Sequence, residues 1–363
     1  MDNLLRVIQS VGYPVNSNVR ITPVCFFDEQ TLSSIVGENR FFTNDTLSTY
    51  TRNKKFPLAN DILFIDTIAV RSMGTAAISL SATNMGLFTK TAIQILVDGR
   101  ERLKIPLLEC FSCTIATVLG TTTTQTISKL VERSKKLRLP IIVNSQSNVE
   151  VKIITDADYS SLGSIRVELS GLLYTKLQPF SFNPSAGKPF ERLSYTIFDT
   201  SAVVASVGQK NYFNSSDKAQ NLYSKIFPLS ASETFEIENI EVAVPLNIGT
   251  AATVFEAIEA LARETVLKIN VNGVEMLDFA GKDLVTVLFQ NAVAGTFKHS
   301  DGTITTNFVN NQIHYGGFTL PVPITIPAKA QVKVTVDTNA VTNASTTPHY
   351  NVMLKGTLQR LVQ

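Results

Sequence analysis

The feature that most constrains this chain is that it repeats itself. Phe26 to Leu58 aligns without gaps to Ile197 to Leu229. Phe27-Asp28 matches Phe198-Asp199, Val36-Gly37 matches Val207-Gly208, Phe41-Phe42 matches Tyr212-Phe213, and Phe56-Pro57-Leu58 matches Phe227-Pro228-Leu229. With small gaps, Ile65-Asp66-Thr67-Ile68 answers Ile237-Glu238-Asn239-Ile240, and Gly74-Thr75-Ala76-Ala77 answers Gly249-Thr250-Ala251-Ala252. Ile93, Ile95, Val97, Asp98, Gly99 and Leu103 answer Leu267, Ile269, Val271, Asn272, Gly273 and Leu277. Leu139-Pro140 and Val151-Lys152 are read against Leu320-Pro321 and Val332-Lys333. Val167, Leu169, Gly171 and Leu173 answer Val352, Leu354, Gly356 and Leu358. A period of roughly 170–185 residues is far too long for a solenoid and means two whole domains.

The pattern predicts an N-terminal arm over 1–20, a first domain over 21–177, a linker over 178–192 and a second domain over 193–363. The linker carries Pro179, Pro184, Gly187 and Pro189, residues that punctuate regular structure.

Each copy reads as β. Val149, Val151, Ile153 and Val332, Val334, Val336 alternate with polar residues, as do Ile165, Val167, Leu169 and Tyr350, Val352, Leu354. Period two gives a strand one buried face. Asp98-Gly99 and Asn272-Gly273 follow such runs at equivalent places, and this dipeptide favours the tight turn of a hairpin. Short helices are expected at Thr124 to Leu137 and Asp283 to Val293. A further helix is expected at Thr253 to Glu264, with a less helical counterpart at Ile78 to Lys90. The expected fold class is all-β: two tandem sandwiches of four-stranded sheets with a few short inserted helices. The jelly roll is the commonest such sandwich, and another Greek-key sandwich fits the same pattern.

Apolar residues make up 44% of the chain and charged residues 17%, enough for two buried cores. The formal net charge of +2 gives no long basic arm for nucleic acid, so no sequence-specific nucleic-acid partner is expected. Leu4, Leu5, Val7, Ile8 and Val11 lie on one helical stripe behind Asp2, which reads as an amphipathic arm and not a secretory leader. So short a helix is marginal in water and needs a surface that covers its apolar side.

No reaction centre stands out, so no catalytic, cofactor or metal residue is assigned. Cys110-Phe111-Ser112-Cys113 has the spacing of half a zinc site but no second pair, and Cys25 stands apart. Buried thiols are the simpler reading. His299, His314 and His349 are scattered and confined to the second copy. The acids Asp156, Asp158, Asp337 and Glu168 suit calcium by type, but scattered acids are ordinarily solvated. The basic stretch Lys129 to Arg138 reads as a solvated helix face, with lipid headgroups or genome as the sharper alternative. No nucleophile elbow or phosphate loop occurs.

Tandem domains, size, β pattern and a short N-terminal arm together resemble the double jelly-roll major capsid proteins of tailless icosahedral viruses, in a compact bacteriophage form. That resemblance implies a structural protein of the virion, made in the host cytoplasm, and not an enzyme. It implies a homotrimer whose six rolls mimic a hexagon, neighbouring capsomers and minor or vertex proteins as partners, and an internal membrane beneath the shell. It also implies that the arm residues Leu4, Leu5, Val7, Ile8 and Val11 lie on the inner side. The rival readings are a carbohydrate-active or glycan-binding double sandwich and a viral vertex or spike protein.

Overall fold

The computed structural model describes residues 5–6, 8–9, 13, 15, 19–31, 37–43, 61–73, 90–119, 125–131, 133–155, 164–176, 190–202, 208–213, 224–248, 265–280, 284–299, 302–314, 317–338 and 349–361. Its first half contains β1 (Val19–Thr31), β2 (Gly37–Phe41), β3 (Asp61–Ser72), β4 (Thr91–Val97), β5 (Arg100–Pro106), a 3-10 turn (Leu107–Glu109), β6 (Phe111–Leu119), β7 (Gln125–Val131), β8 (Lys135–Val143), β9 (Val149–Thr155) and β10 (Ser164–Lys176). The second half contains β11 (Phe190–Ala202), β12 (Gly208–Tyr212), β13 (Glu233–Ile248), β14 (Thr265–Val271), β15 (Val274–Ala280), β16 (Val285–His299), β17 (Gly302–His314), β18 (Phe318–Ile326), β19 (Val332–Thr338) and β20 (His349–Leu361).

Each half is a jelly roll, and the connectivity alone settles it. In roll 1 one sheet runs β1-β10-β3 with β8 beside β3, and the other runs β2-β9-β4-β5. Apart from the β4–β5 hairpin, successive sandwich strands cross from one sheet to the other, which is the jelly-roll path. Roll 2 repeats it with β11-β20-β13 and β18, against β12-β19-β14-β15. The alternating positions face inward: Leu63, Ile65, Ile93, Ile95, Val151, Ile153, Val167 and Leu169 fill the first core. Ile237, Ile240, Leu267, Ile269, Val334, Val336, Val352 and Leu354 fill the second. β11 begins at Phe190, so the last three residues of the expected linker are already strand.

Two expected helices are strands. Thr124 to Leu137 holds β7 and the start of β8, and Asp283 to Val293 holds the start of β16. In each roll a hairpin is inserted between the fifth and sixth strands of the sandwich path, β6–β7 and β16–β17, and its first strand runs parallel to the end of β3 or β13. The reason is local. Val285, Val287 and Phe289 alternate, and the threonine-rich approach to β7 is β-branched, which is stiff in a helix and suits a pleated ladder. The helix expected at Thr253 to Glu264 and its less helical counterpart at Ile78 to Lys90 lie outside the described residues, apart from Lys90, which is in a bend. Leu5, Arg6, Ile8 and Gln9 of the arm are helical.

The sequence alignment of β8 and β9 with β18 and β19 is two residues out of step. Ile141 pairs with Ile65 and Ile324 with Ile237, which sets Pro140 opposite Pro323 and not Pro321. Likewise Val97 pairs with Val149 and Val271 with Val332, so Val332 answers Val149 and not Val151. A slip of two leaves every side chain on its own face, so alternation alone could not detect it.

Candidate functional site

Among the described residues a cluster of buried charges lies between the rolls. β11 of roll 2 lies against β5 and β8 of roll 1. Phe198, Ala243 and Met353, which point out of roll 2's sheet, are buried in the same apolar cluster as the core of roll 1.

Glu109 is at the centre of this seam. Pro106 starts the 3-10 turn that delivers it. Its carboxylate takes the Lys135 ammonium at 2.7 Å and the Lys355 ammonium at 2.7 Å. Lys355 also pairs with Glu241, which Arg133 approaches at 3.7 Å. Arg133 donates to the Leu108 carbonyl at 3.0 Å, and Thr196 Oγ1 lies 3.4 Å from both Glu109 and Lys135. The side chains of Glu109 and Glu241 are only 3% and 2% exposed, so the lysines are their solvent. Burial alone would raise the Glu109 carboxyl, but the two ammonium groups outweigh it and hold it down at about 2. The carboxylates of Glu109 and Glu241 outweigh burial at Lys355 and push it up. Burial draws Lys135 down, against the pull of Glu109.

Outer contacts extend the seam. Glu191 pairs with Arg102 of roll 1 and, at 2.8 Å, with Arg360. Tyr195 donates to Glu101 at 2.5 Å, and Arg138 pairs with Glu238. The stretch Lys129 to Arg138, expected as a solvated basic helix face, is strand at β7 and β8, and three of its cations are paired. Its Arg133, Lys135 and Arg138 hold the second roll. Charge run and periodicity gave no sign of this, because the partners Glu238, Glu241 and Lys355 lie in the other copy.

The hairpin tips do equivalent work in both rolls. Asp98 and Gly99 have φ of 52° and 73°, and Asn272 and Gly273 have φ of 51° and 81°, the left-handed pair that a type I′ turn requires. Asp98 Oδ1 accepts the Asn148 N–H at 2.8 Å, and Asn272 Oδ1 accepts the Gln331 N–H at 2.9 Å. Each tip is thereby tied to the loop before β9 or β19.

The arm lies on its own roll. Ile8 is fully buried with Tyr13 against Ile62, Phe64, Leu172 and Tyr174 on the outward face of roll 1's sheet, with Leu5 beside them. Leu4, Val7 and Val11 lie outside the described residues. The remaining flagged residues stay apart. Cys110 is buried, with its thiol 3.7 Å from the Leu107 carbonyl, and Cys25 is exposed. His299 and His314 sit at opposite ends of the β16–β17 hairpin, and His349 opens β20. Glu168 pairs with Arg71 in roll 1, while Asp337 is beside Gln209 in roll 2. Asp156 and Asp158 are outside the described residues. Among the described residues no group of three or more His, Cys, Asp or Glu is arranged to hold a metal ion. No described helix is long and apolar enough to cross a membrane.

No family model and no curated protein matches the sequence. Among solved structures, the chain is similar to the major capsid protein P2 of bacteriophage PM2, with a TM-score of 0.36, 8% identity, and 94% of this chain and 98% of that chain covered. It is similar to the STIV MCP at a TM-score of 0.36 and 10% identity, covering 93% of this chain and 97% of that chain. PNGF-II follows at a TM-score of 0.29 and 11% identity, covering 96% of this chain and 66% of that chain. The jelly-roll assignment comes from the strand connectivity, independently of these neighbours.

Proposed function

We propose that this chain is a capsid subunit that assembles as a homotrimer and tiles a closed virus shell. One observation carries the reading. The seam joins unlike surfaces of two equivalent rolls, the strand-edge flank of roll 1 and the outer sheet face of roll 2. Contacts between unlike surfaces propagate, and they close into a ring when the rotation allows. Three chains joined this way present six similar rolls around one axis. The buried ion pairs suit that role, since they fix how one roll sits on the other.

The reading places the protein in the virion, with neighbouring capsomers and minor or vertex proteins as partners. It puts the arm on the inner side. Contact with lipid beneath the shell would have to use Leu4, Val7 and Val11, because Ile8 is already buried on roll 1. Light scattering on the purified protein tests the assembly state. The expected species are trimers of about 120 kDa (three chains of 39.7 kDa) or closed shells in electron micrographs. A stable monomer at micromolar concentration would overturn the proposal.

A further inference from the structure

Each roll has both kinds of surface used in the seam, so one of each is left over. Roll 1 keeps the outer face of β1-β10-β3 above the arm. Roll 2 keeps the flank formed by β15 and β18. We propose that these two surfaces meet between neighbouring copies of the chain, in a contact that is less ionic than the seam. The inference rests on the trimer reading and assigns the faces that would build it.

The leftover flank looks like a docking surface with its cover removed. In roll 1 the corresponding strands lie against β11, and Glu101 and Arg102 on β5 and Leu139 on β8 are half-buried there. In roll 2 β15 is exposed over most of its length, and Met276 and Val322 are 46% and 76% exposed. These are the structural counterparts of Arg102 and Leu139. Phe279 and Phe318 stack at 4.0 Å across the opening between the two sheets and stay only half-buried. Large apolar side chains grouped along one edge mark an interaction surface.

The two leftover surfaces also differ from the seam in a matched way. At the seam's centre, Lys135 on the flank meets Thr196 on the face, and Lys355 and Glu241 on the face meet Glu109 and Arg133 on the flank. By the strand registers, Lys135 is replaced by Phe318 and Thr196 by Cys25. Lys355 is replaced by Ser170 and Glu241 by Ala69. At these positions charge has gone from both sides together, Lys135 from the flank and Lys355 and Glu241 from the face. Had it gone from one side only, burial would strand an unpaired ion at large cost. Further along the face the sense reverses, since Ala243 and Met353 become Arg71 and Glu168. Those two pair with each other at 3.1 Å, so they bring their own compensation. In sequence Asp283 answers Glu109, and it lies outside the described residues.

Cross-linking tests the assignment. Cys25 is exposed in the chain and, under the proposal, sits beside Phe318 of a second copy. Phe318→Cys protein treated with a short bismaleimide is expected to give linked dimers and trimers on a denaturing gel. The linking is expected to vanish when Cys25→Ser is added. As a second variant, Val322→Arg changes a side chain already 76% exposed. It is expected to keep the wild-type far-ultraviolet circular dichroism, and so the fold, while the trimer falls apart to 39.7 kDa chains. If the wild type is a trimer but Phe318→Cys does not cross-link through Cys25, or Val322→Arg stays trimeric, the face assignment is overturned and the shell reading stands. A wild-type monomer overturns both.

Discussion

Asp199 accepts the backbone N–H of Phe213 at 2.7 Å, and Phe213 holds a φ of 65°. Asp28 does the same for Phe42, at 2.5 Å and a φ of 62°. A bulky residue in left-handed backbone costs on the order of 1 kcal/mol or more, and the carboxylate stabilises it by taking its N–H. The bond ties the end of each roll's second strand to its first. It explains why the ungapped block of the repeat keeps both the Phe-Asp pair and the aromatic pair after it.

Asp199 makes the first prediction. Burial pushes its carboxyl up to about 6, against the opposing backbone N–H groups of Phe213 and Thr200 and the charge of Lys210. The ordinary value is 3.8, so the folded state binds this proton more tightly than the unfolded chain. Stability from this group is therefore present below pH 3.8 and is lost as pH rises towards 6, a cost on the order of 3 kcal/mol at pH 7. Asp199→Asn keeps an oxygen for the Phe213 N–H and removes the charge. It is expected to unfold at a higher temperature than wild type at pH 7 and to lose that advantage by pH 4. Calorimetry at the two pH values checks it; an equal shift at both would show that the carboxyl is not the cause.

The second prediction concerns a close approach. In each roll the last strand passes a bulge in the third, at Ser170/Gly171 beside Asp66 and at Gly356 beside Glu238. A Cβ on Gly171 would lie 1.8 Å from the Phe64 carbonyl oxygen, and one on Gly356 would lie 1.8 Å from that of Glu236. Backbone must move to admit a methyl group, at a cost on the order of 2 kcal/mol or more. Gly171→Ala and Gly356→Ala are each expected to lower the denaturant midpoint, and an unchanged midpoint in either would show that the bulge can open freely.

What could be read in advance follows from what repeats. The two cores, the hairpin tips and the bulge glycines stand at matched positions because each roll needs them for itself, so comparing one half with the other exposes them. The seam is invisible to that comparison. Glu109, Lys135, Glu241 and Lys355 serve a contact between unlike surfaces, and their counterparts Phe318, Ala69 and Ser170 have other neighbours. The inserted hairpins are hidden in the sequence for a different reason. Ile127, Leu130 and Val131 satisfy a helical spacing, and only the partner strand β6 shows that the ladder wins.

The third prediction tests the seam by pH. The folded Glu109 carboxyl is held at about 2, below its ordinary 4.5. Its contribution is fully present above pH 4.5 and is lost as pH falls through about 2, on the order of 3 kcal/mol in all. Glu109→Gln is expected to flatten the acid limb of the stability curve between those values. At pH 7 it leaves Lys135 and Lys355 short of an anion, and removing one partner of a buried pair costs about 3–5 kcal/mol. Denaturant unfolding across that range checks both effects. A variant that retains the full acid limb would assign that limb to other carboxyls.

The last prediction concerns the arm and one difference between the copies. Tyr13 packs edge-on to Phe64 at 5.1 Å and Tyr174 at 5.6 Å, donates its hydroxyl to Asn144 at 3.1 Å, and gives its backbone N–H to the Ile8 carbonyl at 3.1 Å. The arm thus covers an outward apolar patch that a lone sheet would expose to water. On roll 2 the positions of Ile62, Phe64, Leu172 and Tyr174 are taken by Thr234, Glu236, Thr357 and Gln359, and that face needs no cover. Removal of residues 1–15 is therefore expected to leave a folded protein that binds a hydrophobic dye and self-associates beyond the wild-type assembly. Ile8→Ala, a fully buried site, should lose about 2–4 kcal/mol of local stability, read as faster hydrogen exchange at the Tyr13 amide. Giving roll 1 the polar set of roll 2, Ile62→Thr, Phe64→Glu, Leu172→Thr and Tyr174→Gln, should suppress dye binding in the truncated chain. If dye binding persists after those changes, the exposed surface lies elsewhere and the arm has another role.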